Sequence, residues 1–158
     1  MIFPISSSHS LYPFALIHVD IWGPCSITSI HGHKYFLTIV DDHTRFVWVL
    51  PMSSKDETQS LLQGFVKSVE RQFDTKVKTI RSDNGAKFIM SHFFQATGII
   101  HQTTCVETPQ QNGIVERKYQ HLLNVTRALL FQSNLPNIFW SYALLHAATL
   151  INIIPTPF

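Results

Sequence analysis

The chain has 158 residues, of which 45% are hydrophobic and 12% aromatic, and a formal net charge of +2. That length suits one domain with a substantial core, and the composition excludes a disordered or low-complexity chain. So small a charge neither requires nor excludes a nucleic-acid partner, which leaves the positions of the charges to decide. Cys25 and Cys105 lie far apart, without a CxxC pair or the paired Cys/His spacing of a zinc finger, and read as reduced core thiols. MIFPISSSHS at the start has no basic segment, and the apolar run 142–154 contains His146 and Asn152 and is too short to span a bilayer. No membrane attachment is therefore expected.

Residues 1–11 read as a tail or linker, with Pro4 and three consecutive serines. FALIHVDIWGP (14–24) is a nearly continuous apolar run closed by Gly23-Pro24, the pattern of a strand buried on both faces. KYFLTIVDDHTRFVWVLPM (34–52) predicts two strands joined at Asp41, Asp42, His43 and Thr44, with the two aspartates as plain turn formers. Helix 54–73 opens on a capping box of Ser54 and Glu57 and repeats Leu62, Phe65, Val66 and Val69 at helical spacing. A strand at 76–82 runs into the turn signal Asp83-Asn84-Gly85. A short helix (88–97), a strand (99–105), a polar loop, a long helix (113–132) and an apolar helix (138–153) follow. A meander followed by strands alternating with helices predicts a mixed sheet flanked by helices.

Three carboxylates are awkward for structure alone. Asp20 interrupts an apolar strand, where an unpartnered charge is costly; Asp83 follows a strand end, where open α/β sheets place ligands; Glu116 lies in a first helical turn. If strands 14–24 and 76–82 are neighbours, Asp20 and Asp83 face each other and a helix can bring Glu116 to them. Three hard oxygen ligands favour Mg²⁺ or Mn²⁺ over zinc, and such a set suits two ions about 4 Å apart that act on the two oxygens of a phosphodiester exchange. His31 and His33 have no second ligand pair nearby, so no zinc is expected. In TPQQNGIVERK (108–118), Gln111 and Asn112 offer amides, and Arg117 and Lys118 offer charges, for contacts to nucleic acid.

HVDIWGP, YFLTIVDDHTRFVWVLPM, RSDNG, HQTTC, TPQQNGIVERK, TRALLF, LPNIFW and ATLINIIPT together resemble the integrase core of copia-type LTR retrotransposon Pol polyproteins, plant elements in particular. The resemblance covers about 12–156. It implies an RNase H-like fold with a five-stranded mixed sheet, and Asp20, Asp83 and Glu116 as a catalytic triad that also ligates two Mg²⁺ or Mn²⁺ ions. It further implies DNA partners (element ends and target), 3′-end processing followed by strand transfer, homo-oligomers and a nuclear location. The zinc-binding and C-terminal domains of such integrases are expected outside residues 1–158. Thirty-two residues separate Asp83 from Glu116, three fewer than is usual in the family; Ala86-Lys87, Val106-Glu107 and Tyr119 also depart from its pattern.

Two functional classes stand at this point: a metal-dependent polynucleotidyl transferase, or a copy that keeps the fold and only binds nucleic acid or a protein partner. An RNase H-type nuclease ranks below both, because it calls for a fourth acid.

Overall fold

The computed structural model describes residues 9–104 and 113–154. Cys105 and the loop that carries Gln111 and Asn112 lie outside that range. Five strands form one sheet: β1 (Leu16–Trp22), β2 (Tyr35–Asp41), β3 (Val47–Met52), β4 (Thr79–Ser82) and β5 (Ile100–Thr103), in the order β3-β2-β1-β4-β5. β1 and β2 pair antiparallel, as do β2 and β3, whereas β4 runs parallel to both β1 and β5. The sheet is therefore mixed, as the element order predicts. The strands at 76–82 and 99–105 come out shorter than expected, because only residues 79–82 and 100–103 enter the ladder.

The capping box closes as expected. Ser54 Oγ accepts from Asp56 N and Glu57 Oε1 accepts from Ser54 N, starting a 3-10 turn that leads into α1 (Thr58–Phe73). α2 (Ser91–Thr97) stops at Gly98, whose φ of 72° is a left-handed cap that costs a glycine little. α3 (Gly113–Ser133) and α4 (Trp140–Ile153) are separated by the break at Asn134 to Pro136. Among the described residues no helix is long and apolar enough to cross a membrane.

Strand alternation sends successive side chains to opposite faces and so builds two cores. Ile17, Val19, Leu37, Ile39 and Ile80 face α1 and α2, where they meet Leu62, Val66 and Val69. Phe36, Val40, Val47 and Val49 face α3 and α4, where they meet Val115, Leu122, Leu144 and Ala147. Trp22 stacks on its cross-strand partner Phe36 with ring centroids 5.3 Å apart, and this fixes the second face at the end of β1. Asp20 lies between His18 and Trp22 on that face, opposite Thr38 of β2.

At the β2–β3 turn the aspartates do more than the plain turn formers expected from sequence. Asp41 accepts from Thr44 N, as a turn residue does, but it is fully buried and also accepts from Phe14 N at 2.8 Å. Asp42, likewise buried, accepts from Ser10 N at 2.6 Å and from His18 Nε2 at 2.8 Å, with Arg45 Nη1 at 3.6 Å. These bonds tie the chain before β1 onto the hairpin. Turn propensity could not reveal the bonds to Ser10, Phe14 and His18, because those partners are distant in sequence.

Candidate active site

The register of β1 and β4 brings the first two carboxylates together. His18 lies opposite Arg81, so two residues further along both parallel strands Asp20 falls beside Asp83. Neighbouring strands are about 4.8 Å apart, so side chains in register on one face adjoin. α3 packs against β1 and β2 on this face, with Val115 buried in the core and Glu116 exposed in the first turn. Glu116 is thus carried over the end of the sheet by a helix whose apolar side is anchored.

The charges of Asp83 and Glu116 both act on Asp20. Burial pushes the Asp20 carboxyl from an ordinary 3.8 up to about 6. The charges of Asp83 and Glu116 push the same way, against the opposing effects of the Ile21 N–H and Lys55. The Lys55 ammonium lies 5.6 Å from the centre of the Tyr35 ring. Asp20 Oδ1 accepts from Ile21 N at 2.9 Å. Asp83 Oδ1 accepts from Gly85 N at 2.8 Å, and a Cβ at position 85 would approach that oxygen to 2.8 Å, so the turn requires glycine to hold this carboxylate.

Among the described residues no three His, Cys, Asp or Glu side chains are gathered tightly enough to hold a metal ion as they stand. The donor chemistry fits a hard divalent cation: three carboxylates, one of them destabilised by the other two, with no sulfur or imidazole among them.

The remaining expected contacts divide. Arg117 is exposed and its Nε donates to Gly113 O at 3.0 Å, which lays its stem along the start of α3. Lys118 turns elsewhere: it is half-buried, and burial first, then the charge of Arg45, lowers its pKa. His31, set aside as a zinc ligand, lies with its Nε2 2.6 Å from the Tyr142 hydroxyl. Two residues join the site that the search for carboxylates did not name. Tyr119, three residues after Glu116, has its pKa raised by burial and by the charges of Asp20 and Glu116. Its spacing from Glu116 puts both on one helix face, a signal legible in the sequence. Lys55 had no such signal, because its approach depends on how the capped turn before α1 folds over the sheet end.

The integrase core domain family model matches residues 12–109. This chain belongs to the integrase core domain family. Over 157 residues it is 37% identical to the retrovirus-related Pol polyprotein from transposon TNT 1-94 of Nicotiana tabacum, covering 98% of this chain and 12% of that protein. It is 34% identical over 156 residues to the corresponding polyprotein from transposon RE1 of Arabidopsis thaliana, covering 98% of this chain and 11% of that one. The chain thus spans about a ninth of the length of the curated relatives it matches. Its fold is that of the HTLV-2 integrase catalytic core domain, solved in complex with magnesium: TM-score 0.66, 20% identity, 93% of this chain and 90% of that one. A chain of the simian T-cell lymphotropic virus intasome in complex with the PP2A regulatory subunit B56 gamma gives TM-score 0.72 at 19% identity, covering 96% and 52%. The five-stranded mixed sheet flanked by helices is the RNase H-like fold of retroviral integrase cores.

Proposed function

We propose that this chain is the catalytic core of a retrotransposon integrase that cleaves and joins DNA by metal-dependent phosphoryl transfer, with Asp20, Asp83 and Glu116 as its triad. One observation carries the reading: the Asp20 carboxyl lies within electrostatic reach of both Asp83 and Glu116, on the sheet face and strand end where β1 and β4 adjoin. Three carboxylates brought to one end of the sheet, with Lys55 opposing their effect on Asp20, are a poor structural device and a suitable source of hard oxygen ligands.

Asp20, Asp83 and Glu116 would hold two Mg²⁺ or Mn²⁺ ions, whose Lewis acidity activates the attacking hydroxyl and offsets charge on the leaving oxygen. The protein's part is placement. Ile21 N–H fixes one oxygen of Asp20 and leaves the other for coordination, while Gly85 N–H does the same for Asp83. Glu116 stands in the first turn of α3, which sets it at the helix end nearest the sheet's carboxylates. Tyr119 brings a hydroxyl beside both carboxylates, where the family pattern has a side-chain amide. In the first reaction water attacks a phosphodiester near the element's end and the 3′ oxygen leaves with a proton as a free hydroxyl. In the second, that hydroxyl attacks a target phosphodiester, and one P–O bond forms as another breaks, so no nucleotide cofactor is consumed. Work on element and target DNA together implies more than one copy of the chain and a nuclear site of action.

A second reading, a copy that binds nucleic acid or a protein partner without catalysis, is favoured by the short spacing from Asp83 to Glu116. Purified protein with labelled element-end DNA separates the two. Under the first reading Mn²⁺ or Mg²⁺ supports nicking and raises the thermal midpoint of the wild type, and Asp20→Asn or Glu116→Gln abolishes both effects. A folded wild type that shows neither effect overturns the catalytic reading and leaves the binding one.

A further inference from the structure

Parallel sheets are normally covered on both faces. Here α3 and α4 pack mainly on β1, β2 and β3, and on the same face of β5 Ile100 is 61% exposed. The opposite face is closed, with Phe94 of α2 stacked on His101 at 4.7 Å between ring centroids. The open strip holds Arg81, one row below Asp83 and directly opposite His18 of β1. Gln102, its partner in the β4–β5 register, takes both Arg81 Nε (3.1 Å) and Nη2 (2.8 Å) on one amide oxygen.

That geometry is peculiar for a surface arginine. Its guanidinium is oriented from one side by a neutral acceptor, so the charge is held in place without being cancelled. Among the described residues no carboxylate forms an ion pair with it. Its charge is not among those that act on Asp20 either, whereas that of Lys55 is. A guanidinium oriented by a neutral acceptor and without an ion pair among the described residues, one row from Asp83, matches the geometry and charge of a phosphodiester.

We propose that Arg81, oriented by Gln102, is a phosphate-binding subsite that grips the DNA backbone on the β4–β5 side of the carboxylates; this rests on the DNA-processing reading above. The contact is to phosphate, so it adds affinity and register without base preference. Arg81 contributes one of the released counterions, and its loss lowers the salt dependence accordingly.

The test is binding of a labelled DNA duplex to the whole chain in EDTA, followed by anisotropy across a salt titration. Arg81→Ala and Arg81→Gln, the second keeping a polar partner for Gln102, should each weaken binding several-fold at low salt. Each should also reduce the slope of log K against log salt by about one. Arg71→Ala, on α1 and away from the strip, should match the wild type. Unchanged slope and affinity in both Arg81 variants, with the wild type binding normally, overturn the subsite alone. A wild type that binds no DNA overturns the DNA-processing reading and the subsite with it.

Discussion

Two groups of acids lie at opposite ends of β1, on or beside the same sheet face, and the protein treats them in opposite ways. Asp42 is supplied with partners: although burial alone would raise its pKa, the His18 hydrogen bond, the Ser10 N–H and the charges of His18 and Arg45 hold it down at about 2. Asp20 is supplied with rivals: burial, Asp83 and Glu116 lift it to about 6. Asp42 is buried and Asp20 half-buried, so loss of water penalises the charge of both. What separates them is whether the fold brings donors or acids to the buried carboxylate, and only the second arrangement leaves coordination capacity for something from outside.

The comparison breaks most visibly at Asp42. Asp42→Ala leaves His18 and Arg45 without their buried acceptor and should cost about 3 kcal/mol, read as a lower urea midpoint with unchanged m-value. Acid should act in the same direction on the wild type. An acid whose folded pKa is depressed contributes stability above its unfolded value, and that contribution is lost as pH falls. Stability should therefore drop between about pH 4 and pH 2, as Asp42 takes up its proton. An Asp42→Asn chain should lack most of this acid step.

Asp20 should show the reverse sign. Its raised pKa means that the folded protein pays for ionisation, a penalty absent below about pH 4 and complete above about pH 6. Asp20→Asn should therefore stabilise the metal-free protein at pH 7.5 by about 1–2 kcal/mol, after allowance for solvent screening, and should make no difference at pH 4. Equal stabilities of wild type and variant at pH 7.5 would show that Asp20 carries no net penalty for ionisation in the fold. The smallest effect belongs to a feature outside both groups: Ser54→Ala removes the cap before α1 and should cost about 1 kcal/mol in thermal or urea unfolding.

Most of the architecture was legible before the structure. Ser54 and Glu57 marked a helix start, Gly98 marked a helix end, and the runs at 14–24 and 34–52 alternated or saturated in the way strands do. These signals are local, since caps, turns and periodicity act within a few residues. Asp20 was also conspicuous in sequence, because an acid inside an apolar strand has no local justification.

What local signals could not carry was the company each acid keeps. Asp20 and Asp42 are equally plain in the sequence, and the pair Asp41-Asp42 looks the more acidic of the two. Chain order alone reads that pair as a turn and leaves Asp20 without a partner. The parallel register of β1 and β4 sets Asp83 beside Asp20, and the packing of α3 on β1 and β2 brings Glu116 and Tyr119 over them. The fold-back before β1 gives Asp42 its Ser10 N–H. The sequence determined which acids exist and which elements carry them. Tertiary structure decided which acid is satisfied and which stays open, because the energy of a buried charge depends on neighbours that only strand register and helix packing supply.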